Sequence, residues 1–303
     1  MSRRNPKGRD INGIVLLDKD TGLSSNAALQ KVKRLFFAKK AGHTGSLDPL
    51  ASGILPICLG QATKVAQFLL DDDKRYFVRG KLGEITDTGD CEGVVTKTQE
   101  YTHLDEAIIK QVAMSFVGDI LQVPPMYSAL KKDGQPLYKL ARQGIEIERP
   151  ARPVTIHAIE FISYEKGVVT LDVSCSKGTY IRSLIQDIGD TLGCGAHVIE
   201  LRRTGFAHID ISKTLKFSEL EALSSDDYQS LDAHIFPSED MLPSIQSVTL
   251  VAQQSIDIKY GRTIQSDFKG EQHTVKLFDL DQQFLGIGEL TQDGVIAPKR
   301  LFV

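Results

Sequence analysis

The stretch from Ala41 to Gly60, AGHTGSLDPLASGILPICLG, constrains the fold of this chain more than any other. Its first half is polar, short-sided and punctuated by Gly42, Gly45 and Gly53, and its second half, ILPICLG, is apolar and β-branched. Such an apolar run reads as a buried element. A polar loop that feeds straight into a buried element is pinned at one end. Glycine at three places lets its backbone take positive φ or approach another group closely. Pro49 turns Asp48 away from the helical region and fixes the turn behind it. Asp48, the one carboxylate of the loop, is therefore held on a stiff support. That placement suits a reactive group, and it suits a solvated surface turn; the loop alone leaves both readings open.

A chain of 303 residues buries a full core and has room for two domains. With 41% hydrophobic and 25% charged residues it has the composition of a soluble globular protein. The apolar runs are too short to span a bilayer. The basic start, MSRRNPKGRD, is followed by no apolar segment of signal-peptide type, so a cytoplasmic protein is expected. Cys58, Cys91, Cys175 and Cys194 are scattered without a CxxC pair, as free thiols of a reducing compartment would be. The seven histidines show no HExxH or HxH spacing, which argues against a metal centre. Walker A and GxSxG motifs are absent too.

The net charge of −3 conceals a segregation. Arg3, Arg4, Lys7 and Arg9 open the chain without an acid, and Lys31 to Lys40 hold five bases and no acid. Lys131, Lys132, Lys139, Arg142, Arg149 and Arg152 outweigh Asp133, Glu146 and Glu148, whereas Glu219 to Asp240 is purely acidic. A basic face beside an acidic region fits a polyanion binder whose field is local, and fits solvated helix faces as well.

Along the chain, residues 11–17 read as a strand and NAALQKVKRLFF as a helix capped by Ser24 or Ser25, burying Leu29, Val32 and Phe36. After the Asp48 loop, GQATKVAQFLL reads as a second helix and Arg75 to Leu82 as an alternating strand. GEITDTGDCEG is a loop with a tight TGD turn. Thr102 is placed to cap a helix LDEAIIKQVAMSF with Ile108 and Val112 on its apolar side. Residues 122–153 carry five prolines, Tyr127 and Tyr138 and most of the mid-chain bases, around a short helix PLYKLARQ stopped by Gly144. Aromatics interleaved with Lys and Arg suit RNA, whose bases stack on Tyr while its phosphates meet the cations. A strand hairpin over 154–175, an amphipathic helix after SKGTY and the strand HVIELRRTGF follow. From about Ile245 the pattern turns to short β segments, a small β domain of its own.

One carboxylate in one conspicuous loop does not make an acid/base hydrolase, which needs two. A lone Asp can act as a nucleophile when it is desolvated, oriented and paired with a cation. Arg182, at the start of the helix after SKGTY, is the candidate cation, because Arg binds carboxylate bidentately and keeps its charge.

GHTGSLDPLASGILPICLGQATK resembles the nucleophile motif of the TruB family of tRNA pseudouridine synthases, bacterial type. DKDTGLSS resembles that family's first motif, KRY its tyrosine strand, PPMYSALKKDGQPLYKLARQG its RNA-binding insertion, SKGTYIRSLIQDIG its arginine motif and ELRRTGF its last active-site strand. These matches keep the family's order from about residue 11 to 206. The resemblance implies an α+β pseudouridine synthase fold with a mixed, mostly antiparallel central sheet over residues 1–242. It also implies an RNA-binding insertion at about 122–153 and a PUA-like β domain over 243–303. The activity implied is isomerisation of uridine 55 in the T-loop of tRNA, with no cofactor, no metal, no guide RNA and no protein partner, by a monomer. Asp48 would be the catalytic aspartate, acting on a base flipped out of its stack. Arg182 would pair with it, and Tyr76 would stack on the base and serve a later deprotonation. His43 would fill the vacated space, Tyr180 and Leu201 would line the pocket, and Lys19 would brace the Asp48 loop. Lys131, Lys132, Lys139 and Arg142 would contact RNA. The first motif departs from the family where Asp20 and Ser24 replace Pro and Thr, and Asp20 puts a charge beside Lys19.

Overall fold

The computed structural model of the chain describes residues 7–224, 228–268 and 271–302. Arg3 and Arg4 of the basic start and Asp226 and Asp227 of the acidic segment lie outside the described residues. The chain begins with β1 (Gly13–Lys19), α1 (Ser25–Leu35), β2 (Ala41–His43) and β3 (Ser52–Leu59). Ser24 caps α1 by accepting from the Ala27 amide, and Leu29, Val32 and Phe36 are buried. The expected second helix is instead a 3-10 turn, Gly60–Lys64, followed by one helical turn, α2 (Ala66–Leu69).

Next come β4 (Lys74–Leu82), the hairpin of β5 (Glu84–Thr86) and β6 (Val95–Thr98), and α3 (Glu106–Met114). The α3 cap is Asp105, which accepts from the Ile108 amide, and not Thr102. The buried face carries Ile109 and Ala113 with Val112 packed beside them, as expected of Val112, while Ile108 is exposed against expectation. The cap sets only where α3 begins; packing of Ile109, Val112 and Ala113 on the core sets which face is buried. The insertion leaves from β7 (Gly118–Gln122), forms β8 (Lys131–Lys132), β9 (Gln135–Pro136) and α4 (Leu137–Ala141), and returns into β10 (Arg152–Glu165).

β11 (Val168–Cys175), α5 (Ile181–Thr191), β12 (Ala196–Phe206), β13 (Ile209–Asp210), β14 (Leu215–Lys216), α6 (Phe217–Leu223) and α7 (Tyr228–Asp232) complete the first unit. The second holds β15 (Gln246–Thr249), α8 (Ala252–Lys259), β16 (Ile264–Gln265), β17 (His273–Phe278), β18 (Phe284–Leu290) and β19 (Val295–Leu301). The helix α8 has no counterpart in the β-only pattern read from the sequence there.

The central sheet runs β14-β1-β3-β12-β4-β11-β10-β7, with β2 on β3 and β13 on β12. Among the described residues of this sheet, only β1–β14 and β3–β12 pair in parallel, so it is mixed and mostly antiparallel. β1 and β3 are apolar without alternation because both of their faces are covered. Val15, Leu17, Leu55 and Ile57 face the helices α1, α5 and α6. Ile14, Leu16, Ile54 and Cys58 face a second core that includes Phe284 and Ile287 of β18. The second sheet, β15-β17-β18-β19-β16, thus packs on the back of the first while keeping a core of its own around Val275, Leu277 and Ile296. No helix among the described residues is long and apolar enough to cross a membrane.

Candidate active site

The Asp48 loop enters the sheet at its centre. β3 pairs with β12 at only two positions, Arg202 with Ser52 and Arg203 with Gly53. The loop before β3 therefore lies over the middle of β12 and β4. Gly53 has φ +104, and a Cβ there would sit 2.2 Å from the Arg203 carbonyl oxygen, so only glycine lets β3 join at this point. Gly45, with φ +67, makes the turn that brings its carbonyl under the Arg203 guanidinium. Gly42 lies in β2 without a positive φ, so only two of the three glycines supply the expected freedom.

Three further contacts immobilise the loop. The Ser25 hydroxyl donates to the Leu47 carbonyl (2.9 Å) and accepts from the Leu47 amide (2.7 Å). The Ala51 amide closes on the Asp48 carbonyl, and the Gly22 amide donates to the Pro49 carbonyl. Lys19 acts through that last contact. Only 1% exposed, its ammonium donates to the Asp20 and Leu23 carbonyls and so fixes the turn that carries Gly22. Asp20 contributes a backbone oxygen to this arrangement and points its own side chain to solvent. Burial pulls the Lys19 pKa down to about 8, against the attraction of Asp48 and Asp20.

Asp48 and Arg182 meet as an ion pair, Nε to Oδ2 at 2.9 Å. The arginine side chain is 4% exposed and the aspartate 37%, so the cation is the floor and the carboxylate the group that faces the cleft. The other guanidinium nitrogens are also engaged. Nη1 donates to the Thr88 carbonyl at 2.8 Å and faces Asp90 Oδ2 at 3.3 Å, and Nη2 donates to the Tyr127 carbonyl at 2.6 Å. A guanidinium so buried would cost several kcal/mol without a counter-ion, and here it has two. Burial pushes the Asp48 carboxyl above the ordinary range, Arg182 pulls it back, and the like charge of Asp90 pushes it up again.

Tyr76 on β4 and Arg203 on β12 are register partners, and Leu201 is the partner of Val78. With a side-chain period of two, Lys74, Tyr76, Leu201 and Arg203 share one face of the sheet beneath Asp48. Tyr180 caps α5, where its amide donates to Gln122 Oε1 (2.7 Å) and its carbonyl accepts from Gln122 Nε2 (3.1 Å). His43 closes another side from β2. Its Nδ1 is buried with no partner, and burial and Arg203 lower its pKa, so the imidazole is neutral.

These side chains line a single cleft of about 1070 Å³. Asp48, Tyr76, Arg182, His43, Tyr180 and Leu201 all reach it, and Lys19 lies behind the loop. Of the basic residues in the insertion, Arg142 lines the mouth and stacks on Tyr138 at 5.6 Å, while Lys131, Lys132 and Lys139 are exposed outside the wall. Asp90, Arg203, Lys74, Gln122 and Ser128 were not singled out from the sequence, and Tyr127 was read as an RNA-stacking aromatic and not as a partner of Arg182. For Asp90 there was a signal in the TGD turn. Thr88 Oγ1 and the Glu92 amide hold one of its oxygens, which aims the other at Arg182. No group of three His, Cys, Asp or Glu side chains among the described residues is arranged to hold a metal ion.

Residues 33–181 match the family described as TruB family pseudouridylate synthase (N terminal domain). Residues 182–243 match tRNA pseudouridylate synthase B C-terminal domain, and residues 247–302 match Pseudouridine synthase II TruB, C-terminal. The chain is 50% identical over 303 residues to tRNA pseudouridine synthase B of Actinobacillus pleuropneumoniae serotype 5b (strain L20), covering 99% of each. The chain belongs to the TruB family. Another TruB relative, tRNA pseudouridine synthase B of Shewanella sp. (strain MR-4), is 50% identical over 313 residues, covering 100% of this chain and 98% of that one. Among solved structures, "Crystal Structure of a Cbf5-Nop10-Gar1 Complex" superimposes with a TM-score of 0.74 at 26% identity. It covers 96% of this chain and 85% of that chain. A second, "Structure of H/ACA RNP bound to a substrate RNA containing 2'-deoxyuridine", at 23% identity and a TM-score of 0.72, shares the fold. The TruB family assignment agrees with a pseudouridine synthase fold and a small C-terminal β unit.

Proposed function

We propose that this chain isomerises uridine 55 in the T-loop of tRNA to pseudouridine, with Asp48 as the group that attacks the flipped-out nucleotide. The observation that carries the reading is the Asp48–Arg182–Asp90 arrangement. One carboxylate, paired with a buried guanidinium that opposes the rise of its pKa, faces a cleft large enough for an extruded nucleotide. Its relatives' name, tRNA pseudouridine synthase B, supplies the substrate. Tyr76 stacks on the base, Tyr180 and Leu201 line its edges, and His43 takes the space the base leaves. Lys19 braces the loop through the 20–23 turn.

Lys131, Lys132, Lys139 and Arg142 meet phosphates of the T-arm, and stand on an insertion rooted in the site through Tyr127 and Gln122. The enzyme acts alone, as a monomer in the cytoplasm, without guide RNA or protein partner. The chain divides into a catalytic unit, 1–242, and a PUA-like unit, 243–303, a division supported by the separate second sheet and its own core.

The test is to treat an unmodified tRNA transcript with the purified chain and map pseudouridine along it. Modification at position 55 alone is expected. Modification elsewhere, or none until partner proteins are added, overturns the reading.

A further inference from the structure

Arg182 is matched by two carboxylates, but a second buried arginine beneath the cleft has none. Arg203 is 1% exposed and is the largest fully buried side chain among the described residues. Its Nε donates to the Ile54 carbonyl (2.7 Å), its Nη2 to the Gly45 carbonyl (3.1 Å), and its guanidinium lies 5.5 Å from the centre of the Phe206 ring. Its neighbour Arg202, on the opposite face of β12, pairs with Asp18 at 2.7 Å. For Arg203, no carboxylate lies within ion-pair distance among the described residues. A guanidinium cannot escape its burial by losing a proton. A buried cation without a counter-ion lowers the cost of ionising an acidic group beside it.

The surroundings narrow down which group that is. Lys74, two residues before Tyr76 on the same face, is pulled down to about 8, by burial first and by Arg203 next. Lys19 and His43 are lowered by burial, and Arg203 adds to the effect in both. Lys74, Lys19 and His43 thus hold their protons less firmly than usual, whereas Arg203 keeps its charge. Its register partner is Tyr76, on the same face of the sheet and lining the same cleft, and Arg203 acts on the Tyr76 phenol by charge and side-chain hydrogen bonding. The charges that bear on that hydroxyl come from Arg203 on β12, Cys175 on β11 and Asp48 on the loop. The Cys175 thiol is pushed up to about 12 by burial and stays neutral. Burial and Asp48 hold the phenol protonated, and Arg203 opposes them.

Uridine carries ribose on N1 and hydrogen on C5; pseudouridine carries ribose on C5 and hydrogen on N1. Whatever the order of earlier steps, C5 must release a proton after its bond to the ribose has formed. In that step the C5–H bond breaks and its electron pair becomes the C5=C6 double bond. The N1=C6 pair moves onto N1, N1 takes a proton from solvent, and the C5 proton goes to a base. We propose that Arg203 is the positioning residue for this step, holding the Tyr76 oxygen at the base and stabilising the phenolate that accepts the C5 proton. The proposal rests on the function argued above.

The test follows tritium release from C5 of a labelled transcript in single turnovers, from about pH 6 to about pH 9.5, for wild type, Arg203→Lys, Arg203→Met and Asp48→Asn. Tyr76 accepts the proton as phenolate, so release rises with pH as the phenol ionises, and loss of Arg203 moves that rise to higher pH. Arg203→Met is expected to slow release about 100-fold near neutral pH with tRNA affinity little changed. Arg203→Lys should recover part of the rate and place its profile between the two. Should Arg203→Met fail to fold, ultraviolet difference titration of wild type and Arg203→Lys, each against its Tyr76→Phe counterpart, reads the Tyr76 ionisation directly. That step must move up in Arg203→Lys. An unmoved ionisation step, or pH profiles that coincide with wild type, overturns the proposal. Full turnover in Asp48→Asn would instead bring down the underlying reading, so the two failures are distinguishable.

Discussion

On the floor of the cleft, Arg182 is 4% exposed and commits every guanidinium nitrogen to a protein partner. On the rim, Lys131, Lys132, Lys139 and Arg142 stand in solvent, and none has an ion-pair partner among the described residues. Water makes the difference. A desolvated charge acts strongly on its neighbours and must be matched in place. A solvated charge acts weakly, is screened by salt over about 10 Å, and is free for a partner that arrives later. On the proposed function the floor serves chemistry and the rim approach, although both are made from the same residue types. Gln122, Tyr127 and Ser183 join the two, because the insertion that bears the rim charges is tied at its root to the start of α5.

The most severe way to test the division is at Asp48. Asp48→Asn keeps the shape and removes the charge. It is expected to cut pseudouridine formation by more than about 1000-fold while tRNA affinity stays within a few fold of wild type. Single-turnover rates beside filter-binding titrations measure both. Full turnover in this variant would take Asp48 out of the mechanism, and a collapse of binding would mean the floor also serves approach.

Asp90→Asn comes next, with two effects of separable sign. Arg182 loses one of its two counter-ions, and the plateau rate should fall by about 10- to 100-fold, the worth of a hydrogen bond to a charged group. Asp48 loses the like charge that helps raise its pKa. In the proposed mechanism Asp48 works ionised, so activity should be present above its pKa and lost as pH falls through it. With Asp90 neutral that pKa drops, and the acid limb of the rate profile moves to lower pH. An acid limb that stays in place or moves up would show that Asp90 does not act on Asp48 by charge.

How far this floor could be read beforehand depends on the distance along the chain between its parts. The Asp48 loop, β1 and β3 were legible because composition and burial coincide in one short stretch. Tyr76, Tyr180 and Arg182 were legible because each sits in a motif whose residues are consecutive. Asp90 and Arg203 were not. What makes Asp90 functional is an oxygen aimed at a helix far along the chain, and what makes Arg203 unusual is the absence of a carboxylate around it. The TGD turn marks Asp90 as a turn residue but not its aim at Arg182, and nothing in the local pattern marks Arg203 as lacking a carboxylate. The cap of α3 was missed for a smaller reason, since Thr102 and Asp105 are both plausible caps and local pattern does not choose between them.

A milder test falls on the seam. Gln122 is 2% exposed and holds both backbone groups of Tyr180. Gln122→Ala leaves an amide and a carbonyl without these partners, a loss of about 2 kcal/mol in unfolding free energy by denaturant titration. Because Tyr180 lines the cleft, the turnover number should fall as well, while the salt dependence of tRNA binding should not change. An altered salt slope would mean that releasing the root displaces the rim charges, and the two regions would no longer be separable.

The smallest expected effect, one charge at a time, discriminates most finely within the rim. Every phosphate that is no longer neutralised lowers the slope of log affinity against log salt by about one. Removing all four charges should thus flatten the slope by about three to four, and leave the single-turnover rate at saturating tRNA unchanged. Arg142 tests whether the rim is uniform, because it alone of the four lines the cleft mouth, stacked on Tyr138. If it belongs with Lys131, Lys132 and Lys139, Arg142→Gln costs one unit of slope and no rate. A change in the saturated rate without a change in slope would move Arg142 from the rim to the floor. It would also show that distance from the cleft, and not exposure, is what separates the two kinds of charge.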